Sequence, residues 1–132
     1  MKAKKLLNEQ CITAQIIKLM NSYEEAILAS DAEGVTSYYL DDPDFVFYGY
    51  GQFNGYKDWI ELVKKDFEST SFEGDFYKDI KVHVLSDKVA FVYSSVEYSM
   101  VKASDEERTM EGGTVYVLVK KGDDWKIVHG SG

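Results

Sequence analysis

Cysteine is nearly missing from this sequence: Cys11 stands alone, so no intramolecular disulfide can staple the fold. It sits among helical apolar residues, with no basic neighbour or paired histidine to activate it. It therefore reads as an inert, partly buried thiol. Histidine is as scarce, with His83 and His129 far apart, and no zinc-ligand spacing exists. There is one proline, Pro43. No run of about 18 apolar residues is present, so no transmembrane helix is expected. The opening MKAKKLLNEQ is basic but lacks the apolar stretch of a secretion signal, which makes a cytoplasmic location the expectation. Basic residues are outnumbered, giving a formal net charge of −8. That balance argues against nucleic acid and against anionic membrane surfaces as partners. No repeat, low-complexity tract or linker interrupts the 132 residues, a length that suits one domain over 1–132 with a core of its own.

What is abundant is aromatic: ten Tyr and seven Phe, more than a minimal core needs and suited to a sheet around a cavity. Residues 8–30 carry a helical period, with Ile12, Ile16, Leu19, Met20, Tyr23, Ala26 and Ile27 on one stripe. Asp31 and Gly34 end it. A short second helix fits Gly34 to Leu40, and Pro43 stops anything helical. DFVFYGYG reads as a short strand and GYGQFNG as a turn. A third helix is predicted over Tyr56–Ser69, capped by Asn54, with Trp59, Ile60, Val63 and Phe67 on one face.

After about residue 72 the period changes to two. YKDIKVHVL and VAFVYSSVEYSMV read as strands. The tail GGTVYVLVKKGDDWKIVHGSG reads as a hairpin turning at Gly122-Asp123-Asp124. Helices grouped before a meander predict an α+β fold: a cone-shaped, strongly bent antiparallel sheet with three helices on its concave face. The strand from Val89 to Val101 is apolar on both faces, and only one can meet the helices. A homodimer through the outer face is therefore expected.

Two stretches carry a family likeness. YEEAILASDAEGVTSYYLDDPDFVFYG, through Tyr23, Ala26, Ala29, Ser30, Asp31, Tyr38, Tyr39, Asp41 and Asp42, is similar to the opening of the nuclear-transport-factor-2-like superfamily. GDDWKIVHGSG resembles the closing strand of its SnoaL-like and calcium/calmodulin-dependent kinase II association-domain branches. That superfamily holds ketosteroid isomerases, dehydratases, polyketide cyclases, transport adaptors and oligomerisation hubs, so the likeness specifies fold far better than activity.

The resemblance places Tyr23 where the isomerases carry a donor tyrosine. It places Phe47 where they carry a carboxylate base on the first strand, so this chain departs from them at the central group. Without the likeness, Tyr23 reads as a core aromatic with a bonded hydroxyl. Glu97 is unusual in mid-strand: inside the cavity it would be a desolvated carboxylate, outside a solvated or interface charge. His129 could serve as a base with Glu97 or Glu111 as partner, or as a structural histidine. His83 reads as a solvent or interface residue. Asp41, Asp42 and Asp44 lack calcium-loop spacing and read as turn and cap residues.

Two functions follow. One is a small-molecule-binding SnoaL-like domain, with acid–base chemistry on an apolar carbonyl compound and no cofactor. Its candidates are Tyr23, Glu97 and His129 for catalysis, with Phe47, Trp59, Phe67, Tyr93 and Tyr116 as lining. The other is a non-catalytic homo-oligomerisation module.

Overall fold

The computed structural model describes residues 2–74, 76–104 and 106–132, with side chains from residue 4 onward. Helix α1 spans Lys2–Leu28 and buries Ile12, Ile16, Met20, Tyr23 and Ile27, the stripe the 3.6-residue period predicts. It stops at a left-handed residue, Ser30 (φ 55°), with the Asp31 amide reaching back to the Ala26 carbonyl at 3.0 Å. This is a Schellman-type end with serine where glycine is usual. Asp31 does not end α1; it caps α2 (Ala32–Thr36) by accepting from the Gly34 amide at 3.0 Å. Cys11 lies exposed on α1 rather than partly buried.

Strands β1 (Val46–Gly49) and β2 (Gln52–Asn54) form a hairpin where the sequence suggested only a turn. Both residues at its tip, Tyr50 (φ 54°) and Gly51 (φ 78°), are left-handed, as in a type I′ turn. Helix α3 spans Tyr56–Ser69, as predicted. Its N-cap is Gly55, however, because the Asn54 side-chain amide donates instead to the Phe47 and Gly49 carbonyls, each at 3.2 Å. The Asp42 carboxylate accepts from the Asp44 amide at 2.8 Å, a turn role.

β3 (Thr70–Glu73), not foreseen from sequence, β4 (Tyr77–Ser86), β5 (Val89–Lys102), β6 (Glu107–Lys121) and β7 (Asp124–Ser131) complete a seven-stranded sheet. Its order is β2-β1-β7-β6-β5-β3, with β4 also on β5. The three helices and the curved open sheet make an α+β fold. The sheet is not wholly antiparallel, because β1 runs parallel to β7. Register shifts in β4 and between Val117 and Leu118 mark bulges, which bend and twist a sheet locally. Across the inner face, Phe47, Gly130, Tyr116, Val92 and Val82 form one cross-strand row. Helix α1 is fastened over that face by the Glu24 carboxylate, which accepts from the Tyr77 amide at 2.8 Å. Among the described residues no helix is long and apolar enough to cross a membrane.

Candidate functional site

The helices and the curved sheet leave a cavity of about 250 Å³. Tyr23 reaches it from α1, Trp59, Val63, Asp66 and Phe67 from α3, and Phe47 from β1; Val96, Thr114 and Tyr116 reach it from the central strands. Phe47 and Trp59 stack with centroids 4.0 Å apart and planes at 12°. Trp59 also covers Gly49, where an added Cβ would lie 2.7 Å from the indole.

The deep end is polar without being charged. Tyr23 and Tyr39 share a short hydroxyl–hydroxyl hydrogen bond, and the Tyr77 and Tyr116 hydroxyls bond at 2.8 Å. All four rings are buried. Burial, with neighbouring phenols adding to it, pushes the Tyr23 and Tyr77 hydroxyls well above the ordinary tyrosine value. Burial also raises Tyr39, and it brings Tyr116 to about 12, opposed by hydrogen bonds that favour the phenolate. The cluster is therefore neutral at physiological pH and can both donate and accept.

Among the described residues, two buried polar atoms in the wall have no partner: the Trp59 indole nitrogen and the Thr114 hydroxyl oxygen. Both lie beside the phenols, near enough for Trp59 to favour an ionised Tyr39 and Thr114 an ionised Tyr116, yet neither makes a hydrogen bond of ordinary geometry. A buried donor left unpaired costs about 1–3 kcal/mol, so a polar group or a water that enters the cavity and bonds them is favoured there.

The mouth carries a carboxylate. Asp66 accepts from the Tyr50 hydroxyl at 2.7 Å and from the Thr70 hydroxyl at 3.2 Å. Burial and Asp66 together raise the Tyr50 hydroxyl, and do the same for Tyr98 more mildly.

The structure brings Tyr23, Phe47, Trp59, Phe67 and Tyr116 together on the cavity lining. It places Tyr93, Glu97 and His129 elsewhere. On β5 the residues Ala90, Val92, Ser94 and Val96 are buried, so Tyr93 and Glu97 face outward. Tyr93 stacks on His83 at 5.6 Å, and Glu97 accepts from the Lys78 ammonium at 2.8 Å. His129 turns outward because Val128 is the extra residue of the β7 bulge: Ile127 pairs with Leu118, and His129 with Val117. A period of two carried past that bulge assigns the wrong face. Nor do Glu97 and Glu111 neighbour His129. They pair with each other, and Glu111 lies six residues along β6 from Val117, roughly 20 Å.

Sequence reasoning missed Asp66, Tyr39, Tyr77 and Thr114. Asp66 had a readable signal, since Trp59, Val63 and Asp66 stand at helical spacing and put a carboxylate on the buried stripe of α3. Thr114 alternates with Tyr116 and Leu118, which fixes its face.

A family model for the SnoaL-like domain matches residues 16–132. The chain belongs to the SnoaL-like family. No functionally curated protein matches it. Among solved structures, a nuclear transport factor 2-like superfamily protein from Salmonella enterica superposes with a TM-score of 0.79 at 16% identity, covering 92% of this chain and 89% of the other. A ketosteroid isomerase-like protein from Erwinia carotovora gives 0.74 at 24% identity, over 89% and 92%. The association domain of CaMKII from C. elegans gives 0.69 at 20% identity, over 93% and 95%. At these identities the likeness shows the fold, and the SnoaL-like site must be argued from its own residues.

Proposed function

We propose that this SnoaL-like domain binds a small, largely apolar cyclic compound in the aromatic cavity, with one ligand oxygen held at the phenol cluster. The unpaired Trp59 and Thr114 atoms carry the reading. An indole N–H can only donate, so it calls for an acceptor such as a carbonyl or phenol oxygen. The volume of about 250 Å³ lies below the usual ligand range of roughly 300–1,000 Å³, which favours one ring over a steroid-sized skeleton. Acid–base turnover of a carbonyl compound would need a base. Phe47 stands on the first strand, and Asp66 is the carboxylate the cavity offers. A thermal-shift series with 4-ethylphenol and 4-ethylcyclohexanone tests binding. Saturation at 100 times Kd should add about 2.7 kcal/mol of stability. No shift with either compound at millimolar concentration rejects the reading.

A homodimer through the outer sheet face is proposed beside it. His83, Phe91, Val117, His129 and Val46 form one cross-strand row there. Tyr93, Val115, Ser131, Tyr48 and Phe53 form the next. Tyr48, Phe53, Tyr93 and Val115 are exposed, an apolar surface larger than scattered side chains would give. Light scattering should give twice the 15.0 kDa chain mass, and Tyr93→Arg should halve it. A monomer at micromolar concentration contradicts this.

A further inference from the structure

The charge inventory of the cavity separates one class of ligand from the rest. Among the described residues that line it, Asp66 is the single Asp or Glu, and no Lys, Arg or His side chain is present. The lining that Asp66 shares is aromatic, with Tyr50, Tyr98, Trp59, Phe67, Phe72 and Phe76. Ring faces attract a cation within about 6 Å and repel an anion. Asp66 is half-buried, and its two contacts, Tyr50 on Oδ2 and Thr70 on Oδ1, leave further lone pairs on both oxygens. Neutral phenols, pushed further from ionisation by burial, add no competing charge at the deep end. A net charge of −8 raises the local concentration of cations over that of anions.

Trp59 and Asp66 are seven residues apart on α3, so their backbones are separated by about 10 Å along the helix axis. A single ring with a two-carbon arm spans a gap of that order.

We propose that the cavity selects a small one-ring amine, its ammonium pairing with Asp66 at the mouth and an oxygen at its far end meeting the Trp59 N–H and the Thr114 hydroxyl. The proposal rests on the cavity being a ligand site and adds the sign of charge the ligand carries. Three probes of similar shape test it by calorimetry: tyramine as the cation, 4-ethylphenol as the neutral analogue, and 3-(4-hydroxyphenyl)propionate as the anion. Tyramine should bind about five- to tenfold tighter than 4-ethylphenol, as expected for a half-screened charged hydrogen bond, and the anion weakest. Asp66→Asn should weaken tyramine at least about fivefold more than it weakens 4-ethylphenol. Raising NaCl on the unaltered protein should erode the tyramine preference and leave 4-ethylphenol nearly constant, a measurement independent of whether the variant folds. Equal affinity for tyramine and 4-ethylphenol, or a preference insensitive to both salt and Asp66→Asn, overturns the proposal while leaving the binding site standing. Binding by none of the three overturns both.

Discussion

Replacing Gly130 with alanine tests the packing that forms the cavity wall. Gly130 lies between Phe47 on β1 and Tyr116 on β6 in the inner row of the sheet. A Cβ there would stand 2.7 Å from Phe47 Cδ2 and 2.8 Å from Tyr116 Cδ1, closer than carbon atoms tolerate. Neither ring can retreat freely. Phe47 is backed by Trp59 in a stack of 4.0 Å, and Tyr116 is tied through its hydroxyl to Tyr77 at 2.8 Å. One methyl must therefore displace a ring toward the cavity, and overpacking of this kind costs about 1–3 kcal/mol. For a domain of this size that is a fall in melting temperature of roughly 3–10 °C. Urea denaturation read by circular dichroism should show a lower midpoint with an unchanged slope, since the area exposed on unfolding hardly changes. Gly112→Ala is the matched control: it lies in β6, and an added Cβ there meets nothing within 4 Å. It should be neutral or stabilising by up to about 1 kcal/mol, through the unfolded state. Equal stability for the two variants would refute the claim that Gly130 is fixed by close approach of two aromatic rings. Affinity for 4-ethylphenol should also fall in Gly130→Ala and hold in Gly112→Ala.

Ser30→Gly should stabilise the protein by about 1 kcal/mol in the same assay, because Ser30 ends α1 at φ 55°, where a Cβ is a liability. Alkaline pH should destabilise it. The buried Tyr116 hydroxyl is raised to about 12 against about 10 in the unfolded chain, so its contribution is complete below pH 10 and is lost as pH rises through 12. Over that window Tyr116 alone steepens the loss by about 1.4 kcal/mol per pH unit, Tyr23, Tyr39 and Tyr77 add in the same direction, and unfolding free energies from pH 8 to 11.5 would show it. Glu97→Gln should leave ligand affinity unchanged and stability within about 0.5 kcal/mol, because it breaks one exposed ion pair with Lys78; a lost ligand response would return Glu97 to the site.

The two long helices were legible because their signal is local, whereas the short second one lies at Ala32–Thr36 and not over Gly34 to Leu40. Ile12, Ile16, Met20, Tyr23 and Ile27 repeat at a spacing that the α-helix alone satisfies on one side, and Tyr56–Ser69 carries its own boundaries. The alternation over Val89–Lys102 likewise fixed that Tyr93 and Glu97 share a face. β2 and β3 were not legible, since strands of three and four residues hold too little pattern. Asp66 was legible in principle, as a carboxylate on the buried stripe of α3.

The sequence by itself determined the types of the longer elements, the α+β class and which residues of one strand or helix must point the same way, because periodicity is set by backbone geometry within a few neighbours. The tertiary structure alone decided which of two faces meets the helices. It turned Tyr93, Glu97 and His129 outward, ran β1 parallel to β7, and gathered Tyr23, Tyr39, Tyr77 and Tyr116 into one cluster. An alternating strand apolar on both sides gives no local preference between its faces. One bulge residue at Val128 inverts everything beyond it, and contacts between residues far apart in the chain fix the choice.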